Sequence, residues 1–163
     1  MTKLGFKKGQ GPKTKKVKRK SNKALVRKCD GLWALLVKLR AGFKCEVCGK
    51  AGEPVKCYPD YNTGGLDAHH ILGKTGCRSK YRYELNNGIC LCDNHHKYDP
   101  VCSGHANTGA SANLIESLFE LDTDRFDWVK EHSDDRTNAG KKPNYEAIWQ
   151  DLNDQLTAML LRR

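Results

Sequence analysis

The chain has 163 residues, enough for one compact domain and too few for two large ones, and its formal charge of +10 is unevenly placed. Residues 1–50 carry 16 Lys and Arg against 2 Asp and Glu, while residues 51–163 carry 13 against 17, so the first third is +14 and the rest −4. Such a gradient argues for a polyanionic partner, nucleic acid first, and against a membrane anchor or a secreted class, because no apolar leader, lipidation signal or amphipathic anchor accompanies it.

Residues 1–20 are rich in Gly and Lys and poor in apolar side chains; they are expected to be a basic, disordered arm. A single domain then spans 21–163, with a metal core at about 43–100 and a helical C-terminal region at 111–162. The first helix is expected from a cap at Ser21 to a stop at Gly42, with Leu25, Leu32, Leu35, Leu36 and Leu39 at helical spacing. Short strands are expected at Leu66 to Leu72 and Gly88 to Leu91, and a short helix at Asp93 to Tyr98, which Pro100 ends. Further helices are expected from a cap near Ser111, from Arg125 to His132 around Phe126 and Val129, and from about Asn144, with Tyr145, Ile148, Leu152, Leu156 and Met159 on one face.

With no secretory leader, the chain is expected to be cytoplasmic, where eight cysteines read as metal ligands or free thiols instead of a disulfide framework. Cys45-x2-Cys48 and Cys92-x2-His95 have the spacing that lets one turn of backbone place two ligands on one ion, together a Cys3His set suited to structural Zn²⁺. Cys90 is an alternative to Cys92, and Cys57, Cys77, Cys102 and His105 form a weaker candidate for a second site. Four of the six histidines sit in two adjacent pairs, His69-His70 and His95-His96. If His95 faces the zinc, its neighbour points about 100° away on a helix, leaving His96 to hold a second ion against the strand carrying His69 and His70.

The run Cys45-x2-Cys48, His69-His70-Ile71, Asn87-Gly88-Ile89-Cys90-Leu91-Cys92 and His95-His96 resembles the zinc-stapled HNH endonucleases of the ββα-metal (His-Me finger) superfamily, over roughly residues 40–100. Tyr81-Arg82-Tyr83 ahead of Asn87 is reminiscent of phage-type members. The resemblance implies an α+β fold, a small ββα-metal core with a structural zinc site and flanking N- and C-terminal helices. It implies DNA hydrolysis by a one-metal mechanism, with His70 as general base and His69 and His96 as ligands of catalytic Mg²⁺ or Mn²⁺. Asn87 is implied to orient His70 through its other ring nitrogen, and Cys45, Cys48, Cys92 and His95 to hold the zinc, His95 standing where a fourth cysteine is usual. Asp67 is an extra candidate ligand. Arg78, Lys80 and Arg82 are expected on substrate phosphates, Arg82 as the clamp, and Lys15, Lys16, Lys18, Arg19 and Lys20 along the DNA backbone with little sequence specificity.

RNA is left open by the chemistry. The competing reading is a non-catalytic, zinc-containing nucleic-acid-binding module, which leaves His69, His70, His96 and Asn87 without a task. Trp33, Trp128 and Trp149 fall in helical stretches and are expected to pack; Tyr58, Tyr61, Tyr81, Tyr83 and Tyr98 are candidates for base stacking.

Overall fold

The computed structural model describes residues 22–53, 62–137 and 143–162, with the backbone alone at 76–77. Lys15, Lys16, Lys18, Arg19, Lys20, Cys57, Tyr58, Tyr61 and the expected cap Ser21 lie outside the described residues.

Helix α1, Lys23–Arg40, buries Cys29, Trp33, Leu36 and Val37, a stripe spaced by three and four residues. The leucines pick out the edge of that stripe: Leu36 and Leu39 are buried, whereas Leu25, Leu32 and Leu35 are half-buried. At its end Phe43 N–H donates to Lys38 O (2.8 Å) and Gly42 N–H to Leu39 O (3.0 Å), the paired bonds of a Schellman stop. Gly42 takes φ 61° as expected of such a stop, but Phe43 follows at φ 56°, a conformation costing a side-chain-bearing residue about 1 kcal/mol or more. Two left-handed residues in succession turn the chain directly from α1 into the cysteine turn.

Strands β1, Leu66–His70, and β2, Gly88–Cys92, pair antiparallel with Leu66 opposite Cys92 and His70 opposite Gly88. β2 is buried along its whole length, while β1 is buried at Leu66 and half-buried through its histidines. Helix α1 packs on both strands, closely enough that a Cβ at Gly88 would meet Val37 Cγ2 at 2.4 Å. After β2 the expected helix is one wide turn, Asn94–Tyr98, closed by Asp99 N–H on Asn94 O (2.9 Å), five residues back.

Helices α2, Thr108–Leu121, and α3, Thr123–Ser133, pack on each other. Asn107, not Ser111, caps α2, its Oδ1 accepting from Ala110 N–H (2.8 Å), so the helix starts four residues before the expected point. Helix α4, Tyr145–Leu161, starts at the expected Asn144 cap and packs along α1, with Leu152 buried and Tyr145, Ile148, Leu156 and Met159 against the core. The fold is therefore α+β: among the described residues, one two-stranded sheet with helices before and after it. No described helix is long and apolar enough to cross a membrane.

A buried polar tie joins these parts. Arg125 of α3, 2% exposed, pairs with Glu46 (2.8 Å) and donates to Gly88 O (3.1 Å); Arg40 at the end of α1 donates to Gly88 O (2.6 Å) and Leu85 O (2.7 Å). Glu46 Oε2 in turn accepts from Cys90 N–H (2.6 Å). Burial is the main force lowering the Arg40 pKa, with Arg125 adding to it and Glu46 opposing.

Candidate metal centres and the histidine cavity

The turn after α1 is shaped by Cys45 N–H on Lys50 O and Gly49 N–H on Cys45 O, both 2.8 Å, and is tied to β2 by Glu46 N–H on Cys90 O (2.9 Å). This brings Cys45 and Cys48 to Cys92 at the end of β2 and His95 in the wide turn, with all four ligating atoms within 4.8 Å of one another. Cys48 and Cys92 Sγ are 3.8 Å apart, and Cys92 Sγ and His95 Nδ1 3.3 Å. Zinc–sulfur bonds of about 2.3 Å in a tetrahedron put two sulfurs about 3.8 Å apart, so the donor set and its spacing suit a metal such as zinc. Burial pushes the Cys45 thiol up, whereas bonds from His95 and the neighbouring thiols outweigh burial at Cys92 and bring it down.

Cys90, the alternative ligand, is instead a core residue whose thiol burial pushes up to about 12. His95 turns its other nitrogen, Nε2, toward Asp99 Oδ2 at 3.9 Å. That carboxylate is itself fixed by the Val101 and Cys102 N–H groups, both 2.9 Å, which hold its pKa below the usual range.

The second group is His69 on β1, His96 in the wide turn and His105 in the following loop, again with ligating atoms within 4.8 Å. Their ring centroids are 4.7–5.3 Å apart. The sequence groups His105 with Cys57, Cys77 and Cys102, whereas the fold brings it to His69 and His96. Cys102 stays half-buried against the core while His105 turns to the histidines; Cys57 and the Cys77 side chain are not described. The loop is held rigidly by Gly104 N–H on His95 O (3.0 Å), Ser103 N–H on Ala110 O (3.2 Å) and Asn113 Nδ2 on Val101 O (2.7 Å). A Cβ at Gly104 would meet the His69 ring at 2.7 Å, so glycine is what lets the loop close over that ring.

Asp67 is placed behind the cluster, not in it. Its Oδ2 accepts from His96 Nδ1–H (2.7 Å), which leaves Nε2 of His96 as the lone-pair nitrogen. Burial, reinforced by His105, His96, His70 and Lys74, pushes the His69 pKa down to about 3, so the ring is neutral and free to ligate at neutral pH.

His70, next along β1, points away from the cluster. Its ring stacks on Trp33 with centroids 3.9 Å apart and planes 12° from parallel, and Nε2 lies 2.9 Å from Arg82 O. A carbonyl only accepts, so Nε2 carries the proton and Nδ1 keeps the lone pair. Burial is the main force lowering its pKa, to about 4, with the Arg82 carbonyl opposing it.

Asn87 is fully buried, and its side-chain hydrogen bonds go to the backbone, not to the His70 ring. Its Oδ1 accepts from Leu72 N–H (2.7 Å), and Nδ2 donates to Tyr81 O (2.9 Å) and Gly73 O (3.3 Å). It thus pins both ends of the 72–81 loop, one residue from the carbonyl that holds His70.

The expected phosphate-binding cations are engaged elsewhere. Arg82 makes a bidentate pair with Asp30 (2.8 Å at both oxygens), Lys80 pairs with Asp135 and bonds Thr137, and Arg78 donates to Ser133 O (2.8 Å) and Leu72 O (3.4 Å). Tyr81 and Tyr83 donate their hydroxyls to Asp135 and Asp30, which leaves Tyr98, 70% exposed, as the free ring among the described tyrosines of that group. Trp33 is buried, Trp128 stacks on His132, and Trp149 is 37% exposed.

His69, His70, Lys74, His96 and His105 line an open cavity of about 290 Å³, and His69, His70 and His105 also face a second of about 230 Å³ beside Arg78. A larger concavity of about 390 Å³ lies between residues 79–84 and α4, and none of the ligating histidines or cysteines lines it. Set against known families, curated proteins and solved structures, the chain matches no family model, no curated protein and no solved structure.

Proposed function

We propose that the chain is a metal-dependent endonuclease hydrolysing DNA phosphodiester bonds, with His70 as general base and His69, His96 and His105 holding the working ion. The observation that carries this reading is the meeting of four histidines from three chain segments in one open cavity. Three bring ligating nitrogens within 4.8 Å of one another, and the fourth, His70, uses Nε2 on Arg82 O and so has Nδ1 as its lone-pair nitrogen.

The chemistry follows from the tautomers. His70 is neutral at pH 7, and its Nδ1 accepts the proton of the attacking water. Its Nε2–H bond to Arg82 O fixes the ring's direction, and that carbonyl together with the nearby Asp30 carboxylate only partly offsets the burial that disfavours the imidazolium. Asn87 holds the loop that supplies that carbonyl. Asp67 fixes the His96 tautomer. An ion on the three imidazoles supplies positive charge to the phosphate and the leaving oxygen. Three imidazole donors without a carboxylate suit a later transition ion better than Mg²⁺, which prefers oxygen, so a working Mg²⁺ or Mn²⁺ would take its remaining ligands from water and phosphate.

In this reading Cys45, Cys48, Cys92 and His95 hold zinc as a structural staple, since four protein donors leave no position for water. The strands β1 and β2 and the wide turn stand for the two strands and helix of the ββα-metal core. Cleavage leaves a 5′-phosphate and a 3′-hydroxyl, as the resemblance implies. The basic arm recruits DNA in the cytoplasm, in keeping with a phage-type enzyme.

The test is nicking of a supercoiled plasmid in Mn²⁺ or Mg²⁺ by zinc-loaded wild type and His70→Ala. Wild type is expected to nick, and the variant to be slower by about 100-fold or more. Absence of cutting on plasmid, branched and single-stranded DNA alike would favour the non-catalytic binding module.

A further inference from the structure

The cavity that gathers the histidines has one cationic side chain in its lining, and it is none of the three singled out by sequence. Lys74 lies on the exposed turn after β1, near enough to His69, His70 and His105 to act on all three electrostatically. Among the described residues no acidic side chain forms an ion pair with it, whereas Arg82, Lys80 and Lys97 each have a carboxylate partner. Lys97, the nearest other lysine in sequence to the histidines, is held by Asp67 and Asp93, both 3.6 Å away.

The turn that carries Lys74 is shaped for this position. Gly73 has φ 78°, and its N–H lies 3.4 Å from His70 O, so the chain reverses immediately after the base. No atom lies within 4 Å of a Cβ built there, so the constraint is backbone conformation and not space. Asn87 Nδ2 holds Gly73 O, and the same amide nitrogen holds Tyr81 O next to the carbonyl on which His70 rests. One buried amide therefore fixes the base and the lysine relative to each other.

We propose that Lys74 binds the scissile phosphate of DNA in this cavity through a non-bridging oxygen, as the site's substrate-binding cation. The inference rests on the nuclease reading for the word scissile, and on the cavity alone for phosphate binding. A lysine suits the place: a compact charge on a long flexible stem reaches a phosphate oxygen without the fixed fork of arginine.

The test uses full-length, metal-loaded protein with Lys74→Gln, Lys74→Arg and, as a control, Lys130→Gln, whose lysine pairs with Glu116 and lines none of the histidine cavities. Two readouts are taken: the single-turnover nicking rate, and the salt dependence of binding to a short DNA duplex in a His70→Ala background. Lys74→Gln is expected to slow nicking about 10- to 100-fold and to reduce the slope of log K against log salt by about 0.9, one phosphate contact. Lys74→Arg should restore most of both, with zinc content and second-ion affinity unchanged in every variant. A Lys74→Gln slope equal to that of the background overturns the proposal whether or not the protein cuts. A reduced slope in a wild-type frame that never nicks retains Lys74 as a phosphate ligand and removes the nuclease reading instead.

Discussion

His95 and His96 are neighbours in the chain, yet they belong to opposite kinds of site. His95 presents Nδ1 to a group in which Cys45 and Cys92 are buried and Cys48 is exposed, and its Nε2 faces Asp99. His96 presents Nε2 to two other histidines at an open cavity, and its Nδ1 is bonded to Asp67. The wide turn sends the two rings in different directions; Asp67 fixes the His96 tautomer by a hydrogen bond, whereas Asp99 only faces the His95 ring at 3.9 Å. The difference teaches that donor count, not ligand chemistry alone, separates the two groups: four donors complete a tetrahedron, whereas three leave a position that, on the proposed reading, water and phosphate would take.

Breaking the closed group should have the largest effect. If the cysteine group holds a structural ion as proposed, Cys45→Ser should lose it, and with it on the order of 10 kcal/mol of metal-linked folding free energy, so the cooperative unfolding transition should vanish. A variant that keeps its thermal midpoint without bound zinc would erase the distinction between the sites. Next comes the polar tie behind the cysteine turn. Arg125→Ala removes the closest cation from the Glu46 carboxylate, 15% exposed, leaving it the Cys90 N–H and Arg40 at 3.7 Å, and should lower stability by about 3 kcal/mol in urea unfolding. A smaller loss on replacing both partners together would show that the weakened compensation of the Glu46 charge, and not the pair itself, dominates.

The open group should break without unfolding. His105→Ala is expected to weaken the second ion by about 100-fold or more, since removing a direct ligand exceeds the 10- to 100-fold effect of losing a ligand's partner. Cobalt titration followed by its visible absorption separates this from the thiolate-bound ion, and unchanged affinity would exclude His105 from the centre. The smallest change is Asp67→Asn, which keeps the shape but weakens the hold on the His96 tautomer; about tenfold weaker binding of the same ion is expected, with zinc content unaltered. Equal affinities would reduce Asp67 to a partner of Lys97.

Most of the closed group was legible because its ligands come in two short x2 pairs, so local spacing carried the geometry. The strands and the last helix were legible for the same reason, from runs such as Gly88-Ile89-Cys90-Leu91 and the 145–159 stripe. What stayed hidden depends on contacts between distant segments. His105 lies nine residues past His96, and its direction is set by Gly104 closing over the His69 ring, which no periodicity encodes. The basic residues 78, 80 and 82 look like a phosphate-binding run until Ser133, Asp135 and Asp30 are seen to engage them. Asn87 is expected on the His70 ring, but its amide bonds the 72–81 backbone, at Tyr81 O next to the Arg82 O that holds His70. Gly104-His105 after a buried serine, and a lone Lys74 just after the histidine pair, were the available signals; neither is distinctive without the fold.

The most direct test of the proposed separation is one chelator titration of the full-length protein, followed at each step by plasmid nicking in the presence of limiting Mn²⁺ and by far-ultraviolet circular dichroism. Two separate losses are expected: nicking disappears first, with helical signal and bound zinc intact, and the fold is lost only when the cysteine-held ion is stripped. Simultaneous loss of both, or nicking that persists until the protein unfolds, would contradict a closed structural centre and an open catalytic one built on adjacent histidines.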